Sequence, residues 1–240
     1  MSGGRYSTDR RLKTDRDKSG MYIVKFSGSK PEMKGLWEGP AWQRASTMEL
    51  SCFRPEGTGH RPRTLAKLLY GSAGISGIFR VEDRYVRNVH TEYMDPVYRD
   101  SCVEFFFRPG IGSGYFNFEF NCGGALLSSY ITDPERTAAG FKEFIPLPRE
   151  DGERVAIYHS LPKVTDPEIV RPTVWLLEFF IPLWMIEKYA GSLGRLTGSE
   201  WRANLYKCAD DTSHPHWASW APITSKNFHL PECFGRIRFE

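Results

Sequence analysis

Along residues 100–124 the chain alternates between two kinds of side chain with a period of two. Val103, Phe105 and Phe107 fall on one face of a strand, and Cys102, Glu104, Phe106 and Arg108 fall on the other. After a Gly-rich connection the pattern returns, with Phe116, Phe118 and Phe120 alternating with Tyr115, Asn117, Glu119 and Asn121. One face of this pair of strands is apolar and must be buried. The other carries Glu104, Asn117, Glu119 and Asn121, which are poor strand formers. Two adjacent strands sharing an acidic, amide-rich face suggest a polar surface for a ligand, although the solvated outer face of a sandwich would show the same pattern.

The rest of the chain repeats the theme in shorter pieces. Strands are expected at residues 21–26, 48–53, 154–160, 174–181, 201–208 and 235–239, with a hairpin at 64–70 and 74–82 turning on Gly71, Ser72 and Ala73. Residues 83–99 read as an irregular polar connection, and the stretch after Gly124 holds one candidate strand, at 141–145. Pro182 ends the apolar strand at 174–181 and can open a short helix over 183–189. Residues 54–63 and 210–230 are loops by composition. No internal repeat is visible. Many short strands, turn signals between them and one clear helix predict an all-β, two-sheet antiparallel sandwich of jelly-roll or immunoglobulin-like type. Residues 1–20 lack any apolar period and read as a flexible tail before one domain over 21–240.

Composition narrows the function classes. A net charge of +3 over 240 residues, with basic and acidic positions interspersed, lacks the concentrated basic face of a nucleic-acid binder. No apolar run approaches the ~20 residues of a membrane-spanning helix. The five cysteines have no CxxC spacing, so a zinc site is not expected from spacing; buried thiols are the default, with room for one disulfide. The first twenty residues carry no apolar signal core.

Several landmarks then occur in a familiar order. GLWEGPAW (35–42), LLYGSAGISGIFRVEDRYV (68–86), the strand at 100–107, the strand at 201–206, and SWAP (219–222) followed by NFHLPECFGRIRF (227–239) resemble successive segments of the family 9 carbohydrate-binding modules, in a divergent branch. The resemblance spans residues 35–240. It implies a sandwich that binds sugar and does no covalent chemistry; a monomer is expected. Well-known members hold a terminal sugar between two aromatic rings. By position, the resemblance places the sheet glutamate at Glu104 and the two rings at Tyr98 and Phe228, where those members have tryptophan. A basic residue of the neighbouring strand falls near Glu119, which reverses its charge. A polar strand residue falls on Tyr206 or Lys207, and an amide beside the second ring on Asn227. Asn121 and Asn204 add donors and acceptors by type. The family also implies structural calcium, for which Asp83, Glu82 and Asp95 are candidates by residue type alone.

Other chemistries compete. Glu104 and Glu119 on adjacent strands could stand ~5 Å apart, the spacing of a retaining glycoside hydrolase. Asp210, Asp211, His214, His216 and His229 gather in the C-terminal loops, where a His-x-His pair is also a transition-metal pattern. Of the tryptophans, Trp175 and Trp201 read as core. Of Trp217 and Trp220, one could line a ligand site, and Trp220 fits the core better. A sandwich with a decayed sugar site, serving structure or a protein partner, completes the alternatives.

Overall fold

The computed structural model describes residues 20–138 and 140–240. The expected tail, except for Gly20, lies outside the described residues. Sixteen strands and two short helices make up the fold among them. The long strands are β4 (Arg63–Tyr70), β5 (Gly74–Asp83), β7 (Cys102–Arg108), β8 (Tyr115–Asn121), β9 (Leu126–Thr137), β10 (Gly140–Pro146), β13 (Thr173–Pro182) and β14 (Glu200–Cys208). Shorter ones are β1 (Tyr22–Phe26), β2 (Met48–Glu49), β3 (Cys52–Phe53), β6 (Val86–Asn88), β11 (Ala156–His159), β12 (Thr165–Ile169), β15 (Trp217–Ser219) and β16 (Gly235–Phe239).

The main sheet runs β10-β9-β8-β7-β14-β16-β1-β4-β5-β13-β11. The two expected sheets are present as two halves, but they are joined at one strand, and there the pairing is parallel, not antiparallel. Strand β1 pairs in parallel with β16 through Tyr22–Val24, then in parallel with β4 through Lys25 and Phe26. It therefore hands the hydrogen-bonded ladder from one half of the sandwich to the other, and the halves are continuous. The halves meet across an aromatic core. Phe179 of β13 stacks against Phe105 of β7 and Phe120 of β8, with centroids 5.7 and 5.2 Å apart. Phe107 continues the stack to Trp201 and Phe118. The alternation at 103–107 and 116–120 thus buries the predicted apolar face, where each ring removes a large area from water.

The opposite face of β7 and β8 is not a solvated exterior. Glu104, Asn117, Glu119 and Asn121 are all buried. A second, smaller cluster covers part of that face, built from Phe106, Tyr115, Ile131, Tyr206, Ile223 and Phe234. The covering material includes a hairpin that the sequence concealed. Strand β9 pairs with β8 only as far as Ile131; beyond that it pairs with β10 alone, so the hairpin projects past the sheet. Register shifts on either side of Glu143 leave extra residues on β9, so the bulges lie in β9 opposite Glu143. Phe141 and Phe144 lie on either side of these shifts, and their rings meet at 5.6 Å.

Helix α2 (Leu183–Ala190) follows β13 as expected, with Pro182 just before it and Gly191, at φ +94°, ending it in a conformation that favours glycine. A one-turn helix α1 (Arg149–Gly152) and the small β6–β12 sheet were not anticipated. No described helix is long and apolar enough to cross a membrane.

Candidate functional site

Register turns the buried polar face into a grid. One row across the strands is Tyr206, Glu104, Glu119 and Leu127; the next is Asn204, Phe106, Asn117 and Ser129; on the other side lies Cys208, Cys102 and Asn121. A cleft of about 440 Å³ opens over part of this grid. Its floor includes Glu104, Asn117, Glu119, Leu127, Ser129 and Cys208. Loops supply the walls: Met94 and Tyr98 precede β7, Asp210 and Trp217 follow β14, and Lys226, Asn227, Phe228 and His229 come from the last long loop. The projecting hairpin adds Arg136, Gly140, Phe141 and Phe144.

Five of the eight residues expected at a site converge here: Tyr98, Glu104, Glu119, Asn227 and Phe228. Tyr98 sits in a turn of 3-10 helix and is 37% exposed. Phe228 stacks on Tyr206 at 4.1 Å and 11°. Tyr206 is itself buried, and its hydroxyl donates to the Phe228 carbonyl at 2.9 Å. Tyr206 therefore holds the ring from behind and does not line the cleft.

Asn121 and Asn204 are placed outside the cleft by the same register. The Asn121 amide donates to the His90 carbonyl and to Asp100, and its oxygen accepts from the Ala125 N–H at 2.9 Å. Asn204 accepts from the Ala221 N–H at 2.9 Å and donates to the Ala221 carbonyl at 3.0 Å. Both amides fix loops that frame the site.

The two carboxyl groups stand directly opposite one another on β7 and β8. Burial pushes Glu104 well above the ordinary carboxylate range, reinforced by Cys208 and by the charge of Glu119. Its Oε1 accepts from the Cys208 thiol at 3.1 Å, while Oε2 has no hydrogen-bond partner among the described residues. Burial also raises Glu119, to about 7, against the opposing pull of the Asn117 hydrogen bond and Arg136. The Asn117 amide donates to Glu119 Oε1 at 2.8 Å and accepts from the Ser129 N–H at 2.7 Å, so its orientation is fixed from both sides. The rim is basic and aromatic. Lys226 Nζ lies 3.3 Å from the Trp217 ring centre, and the Arg136 guanidinium 3.9 Å from that of Phe141. Trp217 donates to Asp210 at 2.7 Å, while Trp220 is core, as its place in the chain suggested.

The histidine cluster does not assemble. His229 bonds the Tyr115 hydroxyl, His214 stacks on Tyr85, and His216 is buried beside Lys207. Burial, then Lys207, lowers His216 to about 3, and burial, then Arg136, does the same to His229, so both imidazoles are neutral at physiological pH. The carboxylates considered for calcium have other engagements. Asp83 contacts His60 at 2.7 Å and the buried Lys207 at 3.5 Å, Glu82 pairs with Arg80 and Arg63, and Asp95 caps the Thr91 and Glu92 N–H groups. A cation at Asp83 would have to displace Lys207. All five cysteines are free thiols.

Sequence reasoning missed Asn117 as a cleft residue although it lay on the recognised polar face. It also missed Ser129, Arg136, Phe141 and Phe144, because β9 has no clean alternation and Pro134 interrupts it.

Comparison with known proteins places the fold. A search of curated proteins finds no match. Among solved structures, a candidate carbohydrate-binding protein from Bacteroides uniformis is similar at 27% identity and a TM-score of 0.79, covering 92% of this chain and 99% of its own. A family 9 carbohydrate-binding module from Caldicellulosiruptor kristjanssonii, solved with glucose, is similar in fold at 14% identity and a TM-score of 0.61, covering 91% of this chain and 95% of its own. The same organism's module solved with cellotriose gives 13% identity and a TM-score of 0.58, with coverages of 92% and 93%. The family model for Carbohydrate-binding family 9 matches residues 42–239, and the chain belongs to that family.

Proposed function

We propose that the cleft is a non-catalytic carbohydrate site that takes the terminal ring of a glycan. The observation that carries this reading is the convergence of Tyr98, Phe228, Glu104, Glu119 and Asn227, from four separate parts of the chain, on one cavity of about 440 Å³. That size lies within the range of small-molecule sites, about 300–1,000 Å³. Phe228, rigidly backed by Tyr206, offers an apolar face to the C–H side of a sugar ring, and Tyr98 stands at the mouth. Asn117, Asn227, Ser129 and the two carboxyl groups offer donors and acceptors to hydroxyls. The modules from Caldicellulosiruptor kristjanssonii were solved with glucose and cellotriose, which supports a glucose-type ring as the first candidate.

Hydrolysis is a weaker reading of the same pair. A retaining hydrolase needs one carboxylate ionised as nucleophile and the other protonated as acid. Here burial moves both toward the neutral form, with no cation among the described residues in hydrogen-bond contact to keep either charged. A glycan array followed by calorimetric titration tests the proposal. Phe228→Ala should weaken the best array ligand about tenfold or more, and Glu104→Gln should also weaken it. Unchanged affinity in both folded variants would put the site elsewhere. Hydrolysis products from an array ligand would favour the enzyme.

A further inference from the structure

Beneath one end of the cleft, β7 and β14 bring two thiols face to face. Cys102 and Cys208 are direct register partners, and Glu104, two residues along β7, points to the same side of the sheet. One donor atom from each of the three lies within 4.8 Å of the others. Cys208 Sγ is 3.1 Å from Glu104 Oε1, and Cys102 Sγ is 4.0 Å from that same oxygen. All three side chains are buried, and the Glu104 Oε2 has no partner among the described residues. A buried carboxyl group whose oxygens meet only weak thiol donors and one vacancy is under-satisfied for hydrogen bonding.

We propose that Cys102, Cys208 and Glu104 bind a zinc-class divalent ion, with a coordination position left open on the side of the cleft. Two sulfur ligands and one carboxylate form a borderline-soft donor set, suited to zinc and unsuited to calcium or magnesium, which take oxygen ligands. Three protein ligands complete all but one position of a tetrahedral shell. Glu104 and Cys208 both line the cleft, which gives the ion a route in and leaves its open position facing whatever occupies the cavity. The thiols must ionise to bind. Ion binding therefore releases protons and weakens as the solution is acidified. This site stands whether or not the cleft takes a sugar.

The test uses the full chain, reduced and stripped with a chelator, and titrated with Co²⁺ as a spectroscopic stand-in for Zn²⁺. The expected result is a thiolate-to-cobalt charge-transfer band that saturates at one equivalent and disappears when Zn²⁺ is added. Cys102→Ser and Cys208→Ser should each lower the apparent affinity at least tenfold, and Cys122→Ser should not. Thermal melts restrict the comparison to folded variants. Zinc-edge X-ray absorption on the unmodified protein needs no variant, and should show two sulfur neighbours at about 2.3 Å with lighter atoms completing the shell. No charge-transfer band, a band of undiminished affinity in a folded Cys102→Ser or Cys208→Ser protein, or a zinc shell without two sulfurs overturns the proposal.

Discussion

Glu119→Gln should stabilise the protein at alkaline pH and leave it nearly unchanged in mild acid. The side chain is 4% exposed, and burial lifts its ionisation from the ordinary 4.5 to about 7. The sign follows from proton counting. Between pH 4.5 and 7 the unfolded chain has lost this proton and the folded chain has kept it, so stability falls as pH rises through that window. Above pH 7 both states are ionised, the slope from this residue ends, and the full cost of the buried charge is present. The gap corresponds to about 3 kcal/mol. Glutamine keeps the shape and can still accept from the Asn117 amide, which now bonds Glu119 Oε1 at 2.8 Å, but it never ionises. The variant should therefore match the parent near pH 5 and exceed it by up to ~3 kcal/mol at pH 8. Urea unfolding at several pH values, with tryptophan fluorescence as reporter, measures the difference directly. Glu104 tilts both proteins in the same direction, so the informative quantity is the gap between the two curves. Parallel curves, or a less stable variant at pH 8, would mean that Glu119 is hydrated and that the floor of the cleft is not dry. A gain would show that the chain sacrifices stability to keep a carboxylate at this site, a pattern expected of functional groups.

Three further outcomes test other parts of the structure. Asn204→Ala removes the amide that bonds both polar groups of Ala221, and should lower stability by ~2–3 kcal/mol in a chemical melt while the folded protein keeps its ligand affinity. Lys207→Met leaves Asp83 buried with only His60 and the Arg84 N–H in hydrogen-bond contact among the described residues, and should cost ~3–5 kcal/mol. Burial opposes ionisation of Asp83, but Lys207 and the His60 hydrogen bond outweigh it and hold the group at about 2, so the parent keeps this stabilisation above pH 3.8 and loses it as pH falls toward 2; the variant should lose that acid-side dependence. Tyr98→Ala removes a ring that is 37% exposed, and its melting curve should shift by less than ~0.5 kcal/mol in stability terms.

The strands that build the core were legible because their alternation is driven by burial on one side. Phe105 and Phe107 must face Phe179 whatever the loops do, and β5, β7, β8, β13 and β14 fall close to where the pattern placed them. What the pattern could not show was continuity between the halves. Strand β1 is a short apolar run in either reading, and only its change of partner at Lys25 reveals that it serves both sides. Strand β9 was hidden for a different reason. Its inner part faces the cleft with Ser129 and Leu127, its outer part lacks a neighbour on one edge, and Pro134 is tolerated there because that edge needs no donor.

The site was half legible, and the division has a physical cause. Parity along a strand tells which face a residue takes, and it placed Glu104, Asn117, Glu119 and Asn121 on one face together; Asn204 and Tyr206 came in by residue type and by resemblance. Parity says nothing of position across the sheet. Asn121 falls in the row of Cys102 and Cys208, under the loop that holds His90, and there its amide closes a turn. Asn204 falls in the β14 column, where the chain around Ala221 covers it. The columns of β7, β8 and β9, with Cys208 at the end of β14, remain open because there the covering elements stand off: the hairpin bends away at its bulges, and Phe228 rests on Tyr206 instead of on the floor. The cleft is thus defined less by its polar floor than by the aromatic walls that fail to close over it. Those walls come from loops and from a bulged, projecting hairpin, the parts of a sandwich whose placement depends on long-range contacts and leaves no local period to read.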